Sequence, residues 1–571
     1  MRGLFVSAYT LRLTTPITIS MSEPSFTPRS AFVLMLVLAV VWFGVLDYRT
    51  LIKTDEGRYA EIAREMVATG DWVTPRLNGI KYFEKPPLQY WMTALAFKSF
   101  GVHEWTARLW TALTGFLGVI LLWFTARRLF NPAVAACSAL VLASSPLYLG
   151  MSQMNTLDMG VSFFLQATLC CFLLAHFHTD ASERSRRCWM LLSWASMALA
   201  VLSKGLIGLI LPGAIITLYL LVTRNWALIA RMEWRLGVAL FLLLTVPWFI
   251  AVSLSNPEFA HFFFIHEHFE RFLTKVHLRY QPWWYFLPIF ALGMLPWLGF
   301  VLQGLWQGIR RHDRLAHAQV TRLLLIWVVF IFVFFSASSS KLSSYIVPIF
   351  PALALLIGLR LTQTSIREMR WQASTLTVLA LMLIIVLSQL RGKNDAVEAV
   401  RLATTDYRAW LYCAIAVWVT GLALSHAWLK RRHLRPALIA CALGAFLASM
   451  IALLGHENLG HISSTKTLSM QIKPLLQADT PFYSVETFDH TLPFYLQRTV
   501  TLVAHQNELA YGLQQEPARW IPTLNEFAQR WKNEVAPFAF MQPGTYQTLE
   551  TMDLPMKIVY QDHLRVVITK P

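Results

Sequence analysis

Charged residues are scarce in this chain of 571 residues, since Asp, Glu, Lys and Arg together make up 14% of it. Hydrophobic residues make up 56%, and the mean hydropathy is +0.48. A soluble protein does not need so much apolar sequence for its core, and it needs a charged surface. The composition therefore excludes an ordinary soluble domain and indicates a protein with many membrane-spanning segments.

Cysteine is also scarce, with six residues in the whole chain. All six lie in or at the ends of apolar runs, and none lies in a loop that we assign to the outside, so the sequence predicts no disulfide framework. The spacing of zinc ligands is absent, and so is a Gly-rich loop of the kind that cradles a nucleotide phosphate. We therefore expect a chemistry that needs no nucleotide.

Acidic residues are also few: the chain has 32 Asp and Glu residues and 49 Lys and Arg residues, which gives a net charge of +17. Such an excess can mark a nucleic-acid-binding protein, but here the basic residues fall in every second loop between apolar runs. These loops contain Arg127 and Arg128, Arg184–Arg187, Arg224–Arg235, Arg310–Arg322, Arg360–Arg370 and Lys430–Arg435. This positive-inside pattern places the basic loops in the cytoplasm and argues against a nucleic-acid partner.

Apolar runs dominate what remains, and they predict a mainly α, polytopic membrane protein with a bundle of about thirteen transmembrane helices. The runs are Ala31–Tyr48, Trp105–Phe124, Ala133–Leu149, Met159–His178, Trp189–Leu202, Leu206–Val222, Leu236–Leu254, Tyr285–Trp306, Leu323–Ser336, Ser343–Leu361, Thr375–Leu390, Trp410–Leu429 and Pro436–Leu454. Residues 1–30 are expected to form a cytoplasmic tail without a secretory signal, with Met21 as a candidate start. Residues 31–459 then form the transmembrane domain.

A long polar stretch, Thr54–Pro87, lies in the first outer loop, residues 49–104. Apolar residues recur at helical spacing within Glu56–Thr69, which predicts an amphipathic helix along the membrane surface. Leu88–Phe100 is apolar on one face but too short to span, and it predicts a second surface helix. So many charges beside the bilayer indicate a functional site.

Residues 460–571 change character, because charges and prolines become more frequent. Four segments, PFYSVE, TVTLVA, MKIVYQ and LRVVIT, resemble short strands, and Leu492–Gln497 and Thr523–Trp531 resemble helices. They predict a small α/β domain on the outer side. Since it holds no tight cluster of acids, histidines or cysteines, we interpret it as a lid or packing domain rather than a catalytic one.

Two acids at the outer surface, Asp55 and Asp158, each stand close to the start of a predicted helix, where an Asp is a favoured N-cap. Capping alone would explain either position. Both acids lie on the same side of the membrane beside apolar spans, however, so they can face one cavity and act together on a transferring group. We take them as the candidate catalytic acids, with capping as the alternative.

Arg58 and Lys85 are the candidate phosphate-binding cations of the first loop. Two prolines follow Lys85 and stiffen the backbone, which fixes the direction of its ammonium group. The alternative is that both side chains are interfacial cations that contact anionic lipid headgroups.

Glu84 and several loop histidines offer ordinary ligands for a divalent metal ion. The histidines are His261, His266, His268 and His277. We name Glu84 and His266 as candidate ligands, although loop histidines more often only contact water. Similarly, Lys341 and the hydroxyl groups of SSSKLSSY either form a polar turn or bind a sugar or phosphate.

Several motifs together resemble one known family. They are TDEGRYAEIAREMVATGDWVTPRLNGIKYFEKPPLQYW from Thr54, NTLD from Asn155, SKGLIG from Ser203, PWF from Pro247, KLSSYIVPIFPALA from Lys341 and TLPFYLQRTVTLV from Thr491. The chain resembles the lipid A 4-amino-4-deoxy-L-arabinose transferases, which belong to the GT-C superfamily of membrane glycosyltransferases, alongside the protein O-mannosyltransferases. The resemblance runs from the first span into the carboxyl-terminal domain.

The resemblance implies a GT-C bundle that transfers 4-amino-4-deoxy-L-arabinose from undecaprenyl phosphate to a phosphate of lipid A. It implies a bacterial inner-membrane enzyme whose active site faces the periplasm, and resistance to polymyxin and other cationic peptides. Asp55 and Asp158 match the two loop acids of the superfamily, and Arg58 and Lys85 match the cations near the carrier phosphate. The further residues implied are Arg271 and Tyr345 for the lipid phosphate, and Glu84, Lys204 and Lys341 for the substrates.

One departure is Gly57, where proline is expected in many relatives; we expect it to loosen the helix start without removing a functional group.

The residues fit this chemistry in their own right. A sugar that leaves polyprenyl phosphate creates negative charge near the membrane, which fixed cations such as Arg58 and Lys85 neutralise. The acceptor phosphate is already ionised at neutral pH and needs little deprotonation. We therefore expect Asp55 to orient the acceptor, bind the sugar's amine or stabilise an oxocarbenium-like centre rather than act as a strong base.

Two alternatives stay open. The first is a related GT-C transferase that moves another polyprenyl phosphate-linked sugar to a protein or glycan. The second is a lipid transporter, which should carry broken helices and acids at mid-membrane depth. The acids here cluster at one face instead, so a transferase is favoured over a transporter.

Overall fold

The computed structural model describes residues 28–178, 181–270, 281–311, 317–389 and 398–571. Within them, a helical bundle is followed by a smaller unit built around a sheet. The helices up to the end of the bundle are α1 (Pro28–Gly44), α2 (Asp55–Thr69), α3 (Leu88–Phe100), α4 (Glu104–Leu129), α5 (Pro132–Ala143), α6 (Pro146–Met151), α7 (Leu157–Phe177), α8 (Glu183–Lys204), α9 (Ile207–Thr223), α10 (Ala227–Ala230), α11 (Trp234–Ser255), α12 (Phe286–Gly293), α13 (Leu298–Arg311), α14 (Ala318–Ala337), α15 (Phe350–Leu361), α16 (Ile366–Gln389), α17 (Glu398–Lys430) and α18 (Leu434–Gly455). A π-helical segment (His261–Glu270) follows α11, and 3-10 turns precede α13 (Leu295–Trp297) and α15 (Ser343–Ile349).

The bundle confirms a multi-pass membrane protein. Among the described residues, eight helices are long and apolar enough to span a membrane, and a ninth span results if the pair α12 and α13, bent by 80°, crosses as one. Three shorter apolar helices, α1, α5 and α9, add to these. Each predicted apolar run overlaps a helix, while the number of about thirteen spans stays a prediction.

Helix α7 lies at the centre of the bundle. Its sequence is mostly apolar, but Asp158, Ser162 and Gln166 recur at four-residue spacing, and polar residues of a membrane-spanning helix face the interior of the bundle. Accordingly, 94% of its most apolar stretch is buried, against 17% for α16, which lies at the periphery. Since Asp158 is the second residue of α7, the central helix holds this acid in a fixed place.

The first outer loop contains α2, the short hairpin of β1 (Arg76–Leu77) and β2 (Ile80–Lys81), and α3. Helix α3 has the predicted bounds, and α2 begins one residue before the predicted Glu56, so Gly57 does not loosen its start. That α2 lies along a membrane surface stays a prediction, but its polar face is not exposed: residues 56–66 are buried, and the carboxyl-terminal unit packs against the helix. Its charged residues there pair instead: Arg64 donates to Glu61 at 2.6 and 2.7 Å.

The carboxyl-terminal unit confirms the predicted α/β domain. Its elements are α19 (Glu457–Ser463), α20 (Lys466–Ile472), β3 (Phe482–Val485), α21 (Thr491–Leu496), β4 (Thr501–Val503), α22 (Ala510–Gln515), β5 (Trp520–Ile521), α23 (Leu524–Asn533), β6 (Phe538–Met541), α24 (Pro543–Glu550), β7 (Lys557–Gln561) and β8 (Val566–Thr569). The strand order is β5-β4-β3-β6-β8-β7. Strands β3, β4, β5 and β6 run parallel to one another, and β8 runs antiparallel to both of its neighbours, β6 and β7. Strands β5 and β6 were not predicted, since neither shows polar and apolar alternation.

Helix α2 and the carboxyl-terminal domain are closely packed at Gly57. A Cβ atom at this position would lie 2.8 Å from the carbonyl carbon of His490 and 2.8 Å from the backbone nitrogen of Thr491. Real Cβ atoms do not come so near to backbone atoms. The missing side chain of Gly57 therefore lets the first loop and the domain form one continuous wall.

We predict that Gly57→Ala loosens this contact and lowers the stability of the protein by about 1–3 kcal/mol, the usual cost of overpacking. The measurement is thermal unfolding of the purified protein in detergent. Gly544→Ala is the matched control, because a Cβ there meets no atom within 4 Å. Equal unfolding temperatures for the two variants would contradict the close packing at Gly57.

Candidate functional site

A cavity of about 600 Å³ lies where the first loop, the start of α7, the end of α8 and the carboxyl-terminal domain meet. Seven of the predicted site residues line it: Asp55, Arg58, Glu84, Lys85, Asp158, Lys204 and Tyr345. They come from five separate parts of the chain. The structure thus brings together most of the residues that the sequence singled out.

The two candidate acids sit at helix starts, but neither is the N-cap residue. Thr54 and Thr156 occupy the N-cap positions of α2 and α7. Asp55 is the first residue of α2, and its side chain keeps 34% of its surface exposed to the cavity side. Capping does not account for either acid, which leaves both carboxylates available to act on a ligand.

Each acid is paired with a cation. Asp55 Oδ1 lies 3.4 Å from Arg58 Nη1, and Asp158 Oδ1 accepts a hydrogen bond from Lys204 Nζ. The Lys204 ammonium also lies 4.6 Å from the centre of the Tyr345 ring, close enough for a cation–π contact. Asp158 is therefore held from two sides, by the backbone of α7 and by Lys204.

Lys85 donates from Nζ to the backbone oxygen of Glu84 at 2.8 Å, within the turn that precedes the two prolines. Both side chains are half-buried and line the cavity. The carbonyl contact keeps the ammonium close to its own backbone. That the two prolines fix where Lys85 points stays a prediction.

Among the described residues that line the cavity, opposite charges are equal in number. The lining acids are Asp55, Glu84, Asp158 and Glu508, and the lining Lys and Arg residues are Lys53, Arg58, Lys85 and Lys204. Two histidines, His490 and His505, also line the cavity. A phosphate and an amine can both find an opposite charge in such a site.

A buried ion pair behind the cavity fixes the two acid-bearing segments. Arg108 Nε and Nη2 donate to the two carboxylate oxygens of Glu56 at 2.7 and 2.8 Å. The same carboxylate accepts from the backbone nitrogen of Asn155 at 3.0 Å, three residues before Asp158. Because Glu56 follows Asp55 directly, one carboxylate ties the Asp55 turn to the Asp158 turn.

Arg108 is satisfied on its remaining side by the backbone of the α1–α2 connection. Its Nη1 donates to the oxygens of Leu46 and Arg49 at 2.9 and 2.5 Å, and its Nη2 donates to Thr50 at 2.8 Å. The arginine is fully buried, so the connection, the first loop and α4 all depend on one guanidinium group.

The ion pair with Arg108 also changes the pKa of the Glu56 carboxyl group. Burial works to raise its pKa, but the charge and hydrogen bonds of Arg108 prevail and lower the pKa to about 2, from a usual value of 4.5. Because the folded pKa is the lower one, the pair stabilises the folded protein above about pH 4.5 and loses this contribution as the pH falls towards 2.

The carboxyl-terminal domain supplies part of the cavity wall that the sequence did not predict. The lining includes Phe488, His490, His505, Gln506, Asn507, Glu508 and Leu509. These residues follow β3 and β4, two adjacent parallel strands, and ligand sites often lie beyond the carboxyl ends of such strands. That rule is the signal that would have identified these residues in the sequence. Because the domain lines the cavity, packing alone does not describe its part in the structure.

The remaining predicted residues lie elsewhere. Lys341 does not line the cavity; it is buried and donates to the backbone oxygens of Gln281 and Ser338 at 2.9 and 2.5 Å, so its contacts are those of a polar turn. His266 is not among the lining residues, and its ring stacks on Phe262 at 5.0 Å. Arg271, His277 and the side chain of His268 lie outside the described residues.

Metal ligands are not gathered in the part of the chain that the structure describes, where no group of three or more His, Cys, Asp or Glu side chains has the arrangement of a metal site. Glu84 lines the cavity, and its candidate partner His266 does not. A divalent metal ion at Glu84 stays a prediction.

Two protein-family models match the chain. One, described as dolichyl-phosphate-mannose-protein mannosyltransferase, matches residues 29–263, and the other, described as aminoarabinose transferase C-terminal domain, matches residues 468–570. The first match includes both candidate acids, and the second includes His490 and Glu508. The cavity-lining residues of the first loop and of the carboxyl-terminal domain therefore fall within matched regions.

Named relatives cover most of the chain. It is 31% identical over 499 residues to the undecaprenyl phosphate-alpha-4-amino-4-deoxy-L-arabinose arabinosyl transferase of Pseudomonas aeruginosa, a match that spans 84% of this chain and 86% of that protein. It is 36% identical over 314 residues to the protein of the same name from Aeromonas salmonicida; there, the match spans 55% of this chain and little more than half, 56%, of the relative.

A solved structure shares the fold. The crystal structure of ArnT from Cupriavidus metallidurans bound to undecaprenyl phosphate matches this chain with a TM-score of 0.90 and 40% sequence identity. The match covers 95% of this chain and 98% of that one. Bundle and carboxyl-terminal domain are thus arranged alike in the two proteins.

We predict that Arg108→Met destabilises the protein by about 3–5 kcal/mol, because it leaves the Glu56 carboxylate buried without its partner. Thermal unfolding in detergent measures the effect, and Arg127→Met, an exposed arginine of the same helix, is the control. Replacing Glu56 with Leu together with Arg108→Met should recover part of the loss. An Arg108→Met variant as stable as the control would show that the pair does not hold the site.

Proposed function

The chain belongs to the family of the undecaprenyl phosphate-aminoarabinose arabinosyltransferases, and we propose that it transfers 4-amino-4-deoxy-L-arabinose from undecaprenyl phosphate to a phosphate group of lipid A. The bond between the anomeric carbon of the sugar and the carrier phosphate breaks. A new bond forms between that carbon and an oxygen of the acceptor phosphate, and undecaprenyl phosphate leaves.

We further propose that the reaction takes place at the periplasmic face of the bacterial inner membrane. The positive-inside pattern of the loops supports this proposal, because it favours the side opposite the cytoplasm for the first loop and the cavity. Adding an aminosugar lowers the negative charge of lipid A. The cell thereby becomes resistant to polymyxin and other cationic peptides.

The observation that carries the proposal is the meeting of Asp55, Asp158, Arg58 and Lys85 in one cavity beside membrane-spanning helices. Arg58 and Lys85 would bind the carrier phosphate and stabilise the charge that grows on it as the sugar leaves. A fixed cation is effective here because it needs no rearrangement during the reaction.

The two acids would act on the sugar and the acceptor. The acceptor phosphate is ionised at neutral pH, so its oxygen can attack without a strong base. Asp55 would contact the sugar's amine or the positive charge that develops at the anomeric carbon. Asp158, held by Lys204 beside Tyr345, would act together with Asp55 on the transferring group.

A related activity is the second candidate, and one observation favours it. Residues 29–263 match the dolichyl-phosphate-mannose-protein mannosyltransferase model, whose name describes transfer of a lipid-linked sugar to protein. An assay with purified protein, offering the aminosugar donor with either lipid A or a peptide rich in Ser and Thr, separates the two. Sugar found on the peptide and not on lipid A would favour the second candidate.

We predict that cells producing this protein and the aminosugar donor contain lipid A that is heavier by one aminoarabinose residue. The measurement is a mass spectrum of lipid A from cells with and without the protein. Cells that carry the Asp55→Asn variant are the control for effects of membrane-protein overproduction. Identical spectra in all three strains would remove lipid A as the acceptor.

We predict that Asp55→Asn keeps the protein folded and able to bind the carrier, yet lowers the transfer rate about 100-fold or more, the scale of one lost electrostatic contact in a transition state. Asp158→Asn should act similarly. The double variant should be little worse than either single one, since residues that act as a unit are not additive.

The control for the acids is Asp71→Asn, in the same loop but outside the cavity, which should keep its activity. Strictly multiplicative losses at Asp55 and Asp158 would mean that the two acids work in separate places. Near-normal transfer by Asp55→Asn would take this residue out of the reaction.

We predict that Lys85→Ala weakens undecaprenyl phosphate binding by about 1.5–3 kcal/mol, the range for a charge-assisted hydrogen bond. Binding of radiolabelled undecaprenyl phosphate to the protein in nanodiscs measures this. Lys98→Ala, an exposed lysine on α3, is the control for general attraction of the lipid. If both variants bind like the wild type, Lys85 only contacts lipid headgroups.

A further inference from the structure

Arg58 already has an anionic partner, and this partner belongs to the other domain. Arg58 Nη2 donates to Glu508 Oε2 at 2.5 Å, whereas the carboxylate of Asp55 lies farther away, at 3.4 Å. Only 5% of the Arg58 side chain is exposed. A buried cation needs a nearby negative charge, and Glu508 provides it.

Glu508 is held from its second oxygen by a histidine. His490 Nε2 and Glu508 Oε1 lie 2.5 Å apart, and both residues line the cavity. His490 and Glu508 follow the adjacent parallel strands β3 and β4, so they stand on the same edge of the sheet. The carboxylate therefore bridges Arg58 of the first loop and His490 of its own domain.

The guanidinium group of Arg58 is not fully used. Its Nε is buried and has no hydrogen-bond acceptor among the described residues. A phosphate, like a carboxylate, can accept hydrogen bonds from two donors of one guanidinium group. While Glu508 neutralises Arg58, however, an entering phosphate meets a paired charge and a second anion beside it.

We propose that Glu508 pairs with Arg58 at the place where the carrier phosphate binds and is displaced when undecaprenyl phosphate binds. This inference rests on the proposed function, which assigns Arg58 to the carrier phosphate. The displaced carboxylate keeps His490 as its partner, so it is not left buried without any contact. Glu508 is thus a positioning residue that keeps Arg58 ordered between turnovers.

The exchange has a consequence for turnover, because undecaprenyl phosphate is also the product. A site that binds the product too tightly releases it slowly, and release then limits the rate. A carboxylate that competes for Arg58 weakens product binding and speeds release. The carboxyl-terminal domain would in this way contribute to the rate without contacting the reacting atoms.

The test is the affinity for undecaprenyl phosphate of Glu508→Gln, which keeps the shape of the side chain and removes its charge. Loss of the competitor should lower the Kd about tenfold, by roughly the strength of one charge-assisted contact. The kcat should fall together with KM, since the product leaves more slowly. If Glu508 instead only oriented Arg58 for the phosphate, Glu508→Gln would raise the Kd.

The matched control is Glu516→Gln. Glu516 also joins the carboxyl-terminal domain to the first loop, through Arg76 at 2.8 Å, but it does not line the cavity. Its variant should bind undecaprenyl phosphate like the wild type. Glu508→Asp serves as a second variant: its shorter carboxylate competes less, so its Kd should lie between those of the wild type and Glu508→Gln.

The outcomes separate the inference from the function on which it rests. Binding by the wild type, with tighter binding by Glu508→Gln, supports both. Binding by the wild type with unchanged or weaker binding by Glu508→Gln overturns the inference alone. A wild-type protein that does not bind undecaprenyl phosphate overturns the proposed function, and the inference falls with it.

Discussion

The ion pair between Glu56 and Arg108 is the contact on which the site depends. Both side chains are buried, and removing two charges from water costs several kcal/mol per ion unless hydrogen bonds satisfy them. Here the guanidinium and the carboxylate make hydrogen bonds to five backbone groups in two segments, the α1–α2 connection and the turn before α7. Such a pair contributes a defined geometry more than it contributes stability. That geometry places Asp55 and Asp158 at one cavity.

The cavity is completed by a domain that folds around its own sheet and has its own core. Gly57 permits the backbone contact, and the bridge from Arg58 through Glu508 to His490 connects the charges. The acids and cations among the described lining residues suit the proposed donor, which carries a phosphate and an amine. The proposed transfer then needs little more than placing these groups, because the leaving phosphate and the attacking phosphate are both ionised beforehand.

Sequence reasoning predicted what depends on local pattern. Helix α3, four of the strands and the convergence of Asp55, Asp158, Arg58 and Lys85 follow from periodicity, topology and motif. It did not find the partners of these residues, since Arg58 and Glu508 are 450 positions apart and no local signal connects them. Strand β6 was missed because a buried strand with two apolar faces lacks alternation. The burial of α2 was missed because its charged face resembles a solvated one until its ion pairs are known.

The central claim is that the first loop and the carboxyl-terminal domain together form the carrier phosphate site. A structure of this protein with undecaprenyl phosphate bound tests it most directly. The account predicts the phosphate within hydrogen-bond distance of Arg58 and Lys85, with Glu508 withdrawn from Arg58 and still beside His490. A phosphate bound away from Arg58, or bound to it with the Arg58–Glu508 contact intact, would contradict the account.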